Sequence, residues 1–341
     1  MNAEQPRRKG DFSMETKRKI GTLPAFTNSE HASAHTLLAV RVAHMMGRKF
    51  EEGDWAEVYC RAKGIPLKGW SNLDIDVMHG SLGVEQKMIR YSSKGDISEA
   101  CGTSIMHPSA TRAFRVPPTT TDANNAMYDV LTQYGELIRA RKEKVRELSG
   151  SKDEPDMRTG WLLWQDSLRQ FLYFEEAMVP PDPRQFEARW VKRVSKSGSR
   201  KPSTNLWIYD TKTGAKRYSV TTEAGAKIQP YFDVPPLTDP NVCIFTVIGE
   251  ILDTGFVKVW LTDATARELR RIIGSLEPEA LSRAILESAK LAAKKSVAEE
   301  AEREVAHPFT ITLEAYEALK SAFHGVSDEH CFQLLAEQLR S

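Results

Sequence analysis

Acidic and basic side chains alternate with apolar ones between residues 72 and 90, in a pattern that suits metal-dependent chemistry. Asp74 and Asp76 lie two residues apart, and so do Glu85 and Lys87. On a β-strand this spacing places both side chains on one face. Two neighbouring carboxylates repel each other unless a cation lies between them, and oxygen ligands suit Mg²⁺. The pattern therefore predicts a magnesium site with a lysine beside it.

Two strands joined by a tight turn would bring these acids together. Residues 72–78 and 82–91 have the alternating pattern of strands, and the turn His79–Gly80–Ser81 separates them. If the strands pair as a hairpin, Asp76 meets Glu85 at one end of a sheet. Asp76 is preferred over Asp74 because it lies nearer the turn, and the spacing leaves both acids open.

The hairpin resembles the catalytic motif of the PD-(D/E)xK nuclease superfamily, which includes most type II restriction endonucleases. The resemblance rests on Asp76 and on the triplet Glu85–Gln86–Lys87, and it covers roughly residues 50–116. It implies that Asp76 and Glu85 bind the metal, that the main-chain carbonyl of Gln86 joins them, and that Lys87 is the catalytic lysine.

One further detail of this region matches the superfamily, and another departs from it. Its members often add a glutamate from the preceding helix, and Glu57 occupies that place on a predicted helix over 54–62. Neither Asp76 nor Glu85 follows a proline, although that position is loosely kept in the superfamily. Asp74 remains the alternative metal ligand.

The resemblance also implies a fold and an activity. The fold is α/β, with a mixed central β-sheet flanked by helices, to which β-hairpins and a helical C-terminal part are added. The implied activity is Mg²⁺-dependent, sequence-specific cleavage of double-stranded DNA by a homodimer, as in a type II restriction enzyme. Two alternatives stay open: a repair, junction or modification-dependent nuclease of the same superfamily, and a non-catalytic DNA- or protein-binding module.

Basic and hydroxyl side chains near the motif and further along the chain are candidate DNA contacts. Arginine and lysine bind phosphates, and serine and arginine also reach base edges. A basic loop without acids over 192–201 suits wrapping around DNA. A run of charges over 139–146 would either follow a DNA backbone or form a solvated helical face with internal ion pairs. The candidates are Arg90, Ser92, Ser93, Lys94, Arg112, Arg115, Lys192, Arg193, Lys196, Arg200 and Lys201.

Periodicity divides the remaining chain into segments. We expect a basic flexible arm over 1–20, a catalytic core with flanking helices over 21–180, a β-rich DNA-contacting segment over 181–262 and a helical C-terminal segment over 263–341. Helical spacing of apolar residues predicts helices over 96–106, 123–149, 160–178 and 278–305. Residues 113–116 are expected to form a short strand, and 242–251 and 256–261 a hairpin.

Composition excludes several classes of protein. The 341 residues carry 47 Lys and Arg against 46 Asp and Glu, so the formal net charge is +1 and a uniformly basic surface is excluded. The four cysteines form no CxxC pair, which argues against a zinc ribbon. Walker A and GxGxxG motifs are missing, so we expect no nucleotide cofactor. Without an apolar signal or membrane-spanning segment, we expect a cytoplasmic protein.

Overall fold

The computed structural model describes most of the chain between residues 21 and 340. The described ranges are 21–45, 49–67, 75–91, 96–103, 114–150, 152–193, 203–222, 227–252, 255–289, 306–323 and 327–340, without the side chains at 101–103, 193 and 289. Within these ranges, no helix combines the length and the apolar character needed to cross a membrane.

Seven α-helices lie in the described ranges, and several begin at a side-chain cap. The side chains of Thr27, Asp122, Thr262 and Thr312 each accept a hydrogen bond from a main-chain N–H of the first turn. Such caps satisfy donors that a helix start leaves open. The helices are α1 (Asn28–Ala43), α2 (Glu52–Ala62), α3 (Ala123–Ser149), α4 (Asp263–Ile273), α5 (Pro278–Ala289), α6 (Leu313–Ala322) and α7 (Asp328–Arg340).

Strands in the described ranges form three sheets, so the chain is a mixed α/β protein as expected. The strands are β1 (Thr22–Leu23), β2 (Val77–His79), β3 (Leu82–Arg90), β4 (Cys101–Thr103), β5 (Asp156–Trp164), β6 (Gln170–Ala177), β7 (Phe186–Arg193), β8 (Ser203–Asp210), β9 (Lys216–Thr221), β10 (Lys227–Asp233), β11 (Cys243–Thr246), β12 (Glu250–Ile251), β13 (Phe256–Thr262) and β14 (Ala306–Thr312).

The first sheet is mixed and holds the predicted motif. Its strands follow the order β1-β6-β5-β3-β2, and β11 also pairs with β6. Strand β3 runs parallel to β5, whereas the other pairs are antiparallel. Parallel neighbours need a crossover connection, and the segment between β3 and β5 contains α3.

Helices cover both faces of this sheet. On one face, side chains of α1 and α2 form a core with Val84 of β3 and Tyr173 of β6. On the other face, α3 lies between the first sheet and a second, antiparallel sheet of order β4-β10-β9-β8-β7. Tyr134 of α3 makes an edge-on ring contact with Tyr218 of β9, with ring centroids 5.8 Å apart. Helix α3 therefore links the two sheets.

The third sheet, β12-β13-β14, packs with the last four helices. Strand β14 was not expected from the sequence, and it follows the segment over 278–305 that was expected to be helical. Of the helix predicted over 278–305, the structure shows α5 to Ala289, and the remainder lies outside the described residues. Of the hairpin predicted from 242–251 and 256–261, only β12 pairs with β13, because β11 joins the first sheet.

The helix predicted over 160–178 is wrong, because this segment contains β5 and β6. Trp161, Leu162 and Leu163 are all buried, since layers of protein cover both faces of the sheet. A strand buried on both sides reads as a continuous apolar run, which by itself does not distinguish a strand from a helix. The turn between the strands includes Leu168, at a positive φ of 52°.

Two other predicted elements near the motif are also wrong. Residues 96–103 contain no α-helix, because a short 3₁₀ turn, Ile97–Glu99, leads into β4, and residues 104–106 lie outside the described residues. Strand β4 pairs with β10, more than a hundred residues away, a contact that local periodicity does not report. Residues 114–116 have no regular structure.

Candidate active site

A two-residue loop positions the acidic pair. Gly80 and Ser81 connect β2 to β3, and the φ of 55° at Gly80 suits a glycine. Val77 is the register partner of Val84. Extending this antiparallel register by one residue places Asp76 opposite Glu85 on the same face, as the sequence predicted.

Glu85 lies in a buried cluster of charges. Its side chain and that of Lys87 share one face of β3, and the two residues are 3% and 7% exposed. Lys87 Nζ lies 2.6 Å from Glu85 Oε1, and Arg141 of α3 places a guanidinium nitrogen 3.2 Å from Glu85 Oε2. Both carboxylate oxygens therefore face a cation, which offsets the cost of burying the charge.

Asp76 lies at the exposed edge of this cluster. Its Oδ2 accepts a 2.7 Å hydrogen bond from the main-chain N–H of Gln86. Desolvation by the surrounding protein, followed by the negative charge of Glu85, raises the pKa of Asp76 to about 7, and the positive charge of Lys87 opposes this shift. Desolvation and the Glu85 carboxylate thus both disfavour the charged form of Asp76, which a bound cation would stabilise.

Gln86 points to the opposite face of β3, toward α2. Its Oε1 accepts hydrogen bonds of 3.2 Å from Trp55 Nε1 and from the Tyr173 hydroxyl. Gly160 on β5 leaves room for this contact, because a Cβ there would lie 2.7 Å from Gln86 Oε1 and 2.2 Å from the Tyr173 oxygen. The same hydroxyl oxygen lies 2.8 Å from buried Glu175, so its one proton is shared between the two acceptors. These contacts fix the strand segment between Glu85 and Lys87.

Glu57, the predicted helix glutamate, lies in a different environment. It forms ion pairs with Arg41 of α1 and with Arg61 one helical turn further along α2. The acid of α2 whose charge raises the pKa of Asp76 is Glu52. Five residues along a helix correspond to a rotation of about 140°, so Glu57 and Glu52 face different directions. The structure does not bring Glu57 together with the hairpin acids.

The predicted DNA contacts are only partly within the described residues. Arg90, at the end of β3, is exposed and paired with Asp166 in the β5–β6 turn. Arg115 is exposed, and its main chain is held by the side-chain amide of Gln133 on α3. Lys192 is exposed on β7, where Arg193 is the last residue. Asp74, Ser92, Ser93, Lys94, Arg112, Lys196, Arg200 and Lys201 lie outside the described residues.

Sequence reasoning missed the role of Arg141. It belongs to the basic run over 139–146, whose outer residues form ion pairs such as those of Lys142 and Arg146 with Glu154. Arg141 instead points inward, at helical spacing from the buried residues Ile138 and Val145. The signal in the sequence was a basic residue on the apolar face of the helix. A cation at a buried position needs an acidic partner, which indicates that this side chain contacts a buried acid.

Tyr134 is a second residue of α3 that the sequence analysis did not associate with the site. Burial, followed by the neighbouring Tyr218 and the negative charge of Glu85, raises the pKa of its hydroxyl above the usual range. Tyr134 therefore stays protonated, and it brings the second sheet close to the acidic cluster.

The donor set fits a hard divalent cation. It consists of the carboxylates of Asp76 and Glu85 and the main-chain carbonyl of Gln86. In an antiparallel ladder the N–H and the C=O of one residue point to the same side of the strand. The N–H of Gln86 donates a hydrogen bond to Asp76, so the carbonyl of Gln86 also points to the side on which Asp76 lies. Across the described ranges, no group of three or more His, Cys, Asp or Glu side chains could hold a metal. Mg²⁺ commonly binds through one or two carboxylates, with waters and substrate phosphates completing its shell.

Comparisons of the chain with protein-family models, with curated proteins and with solved structures gave no match. The assignment of the site therefore depends on its own geometry and chemistry.

Proposed function

We propose that this chain is a Mg²⁺-dependent endonuclease that cleaves double-stranded DNA at specific sequences, with the restriction-endonuclease-like core of the PD-(D/E)xK superfamily. The observation that carries the proposal is that Asp76, immediately before β2, lies beside Glu85 and Lys87 of the adjacent strand β3 in a mixed sheet. Acids and a lysine at this spacing are the parts that phosphodiester hydrolysis needs.

Each residue has a distinct part in the proposed reaction. Asp76 and Glu85 hold the metal, together with the carbonyl of Gln86. When bound, Mg²⁺ would lower the pKa of a coordinated water and stabilise the negative charge that develops on the phosphate. Lys87, held against Glu85, orients the attacking water and stabilises the developing negative charge through its ammonium group.

The same proposal assigns DNA binding to the described basic residues around the site. Arg90 lies three residues after Lys87, about 10 Å along the strand, and is exposed. Arg115 precedes α3, and Lys192 lies on the second sheet, which α3 connects to the catalytic sheet. Cutting both strands of a symmetric site takes two active sites, so the proposed functional unit is a homodimer.

One observation favours a second candidate, a binding module without catalysis. Lys87 and Arg141 already neutralise Glu85, as they would in a structural ion-pair cluster. Such a module would bind no Mg²⁺ at Glu85. The position of Asp76 favours the metal site over this alternative, because the hydrogen bond from Gln86 N–H places a second carboxylate beside Glu85, which an ion-pair cluster of Glu85 with Lys87 and Arg141 does not need.

A cleavage assay tests the proposal directly. Long unmodified duplex DNA is incubated with the protein and Mg²⁺, with EDTA in place of Mg²⁺, and with Glu85→Ala. Glu136→Gln, an exposed acid on α3, is the matched control. We expect discrete fragments that need both Mg²⁺ and Glu85 and that persist in the control.

The outcomes of this assay separate the candidates. Sequencing the fragment ends gives the recognition site. Equal cleavage by the wild type and by Glu85→Ala would refute the assigned site. If the unmodified duplex stays intact, cleavage of methylated or branched DNA in a second assay would identify a modification-dependent or junction nuclease, and a titration that detects no Mg²⁺ binding would favour the binding module.

A further inference from the structure

The second carboxylate oxygen of Glu85 is held by a residue from a distant part of the chain. Arg141 approaches Oε2 at 3.2 Å, while Lys87 occupies Oε1. Arg141 belongs to α3 and has only 12% of its side chain exposed. The guanidinium therefore has little access to water in the arrangement that the structure shows.

A metal bound between Asp76 and Glu85 would compete with this arginine. The metal needs an oxygen of Glu85, and both oxygens already face cations. Two positive charges cannot share one buried carboxylate oxygen without strong repulsion, because the low local dielectric strengthens the interaction. Lys87 is adjacent on the same strand, whereas the arginine comes from a helix and has a long flexible side chain that can leave.

We propose that Arg141 is a resident counter-cation of Glu85, which a divalent metal has to displace from Oε2 in order to bind. The inference rests on the proposed function and adds a property of the same site. It makes metal uptake a cation exchange, and the released guanidinium is a group that binds phosphate. In the metal-free protein, Arg141 keeps the buried glutamate neutralised.

Isothermal titration of the full chain with Mn²⁺ alone, without DNA, tests this exchange. Arg141→Gln removes the competing charge, and we expect it to bind Mn²⁺ at least about tenfold more tightly than the wild type, because the metal no longer has to displace the cation of a buried ion pair. Arg141→Lys keeps a positive charge beside Glu85, and we expect its affinity to stay within about threefold of the wild type.

The matched control is Arg139→Gln, which makes the same change of charge at an exposed position of the same helix. It should leave the affinity unchanged, which separates local displacement from a general effect of net charge. Circular dichroism establishes that each variant is folded.

The results distinguish failure of this inference from failure of the proposed function. If Glu85→Gln abolishes Mn²⁺ binding but Arg141→Gln has wild-type affinity, the metal site stands and the exchange is refuted. An equal gain in Arg139→Gln and Arg141→Gln would also refute it. If neither the wild type nor Arg141→Gln binds Mn²⁺, both the exchange and the metal site are wrong.

Discussion

The carboxylate of Asp76 accepts a hydrogen bond from the main-chain N–H of Gln86, the residue between Glu85 and Lys87. This contact ties the acid that precedes β2 to the backbone of β3. Because the donor is a main-chain group, no side-chain substitution at Gln86 other than proline removes it. The two acids thus keep a fixed relationship that depends on the hairpin register.

Metal binding should depend on pH through Asp76, whose pKa is raised to about 7. A protonated carboxyl does not bind a cation, so we expect affinity to rise with pH across this value. Titration with Mn²⁺ should show about tenfold tighter binding at pH 8 than at pH 6, as expected for a single group. Asp76→Asn should bind weakly at both values. A constant wild-type affinity would contradict this assignment.

The same pKa predicts how stability of the metal-free protein changes with pH. Since the folded pKa lies above the unfolded value of 3.8, Asp76 contributes stability at low pH that is lost as pH rises through 7. The melting temperature should therefore fall less between pH 6 and pH 8 in Asp76→Asn than in the wild type. A steeper fall in the variant would show that the sign is wrong.

Glu52 and Glu57 of α2 should differ in their effect on the site. Glu52→Gln removes a negative charge that helps to raise the pKa of Asp76, so the pH midpoint of Mn²⁺ binding should move to lower pH. Glu57→Gln, whose carboxylate is paired with Arg41 and Arg61, should leave the midpoint in place. The reverse result would restore Glu57 as the helix glutamate of the site.

Lys87 should affect chemistry more than metal binding. Lys87→Met removes the ammonium group assigned to the water and the developing charge, and we expect single-turnover cleavage to slow by about a hundredfold or more. Mn²⁺ binding should persist, because Asp76 and Glu85 remain. Lys144→Met, at an exposed position of α3, is the control. Wild-type cleavage by Lys87→Met would make Lys87 a structural counter-ion only.

Two glycine-to-alanine substitutions should have opposite effects on stability. In Gly160→Ala, the new Cβ would overlap the Tyr173 oxygen and crowd Gln86, so we expect a loss of about 1–3 kcal/mol in the free energy of unfolding. Gly53, in the first turn of α2, has open space around it, and alanine there should add about 0.5 kcal/mol. Urea denaturation of the two variants measures both. Equal stabilities would mean that β5 does not pack tightly at Gly160.

The predictable parts of the site were those encoded locally. Alternation and a glycine turn identified β3, its acid Glu85 and the facing Asp76, because a hairpin with a short loop fixes its own register. The ion pair of Glu85 with Arg141 joins residues more than fifty positions apart, and the basic run around the arginine concealed it. The inward position of Arg141 was nonetheless encoded in its spacing from Ile138 and Val145.

The wrongly predicted secondary-structure elements have a common physical cause. Strands β5 and β6 lie within a sheet covered on both faces, and their aromatic residues also fit helical spacing, so periodicity did not decide between the two. Pairing with β10 makes a strand of β4, and pairing with β6 draws β11 away from its neighbours in the chain. Such long-range pairing overrides local propensity.

The pairings of β4 and β11 make the two larger sheets interdependent. Strand β4 precedes helix α3 but belongs to the second sheet, whereas β11 follows that sheet in the chain and extends the first. Replacing residues 181–262 as a block would remove β11 from the first sheet. It would also remove β10, the strand that pairs with β4 in the second sheet. If the chain is the nuclease we propose, DNA recognition and cleavage cannot be exchanged as separate blocks, and new specificity would have to come from substitutions within the sheets.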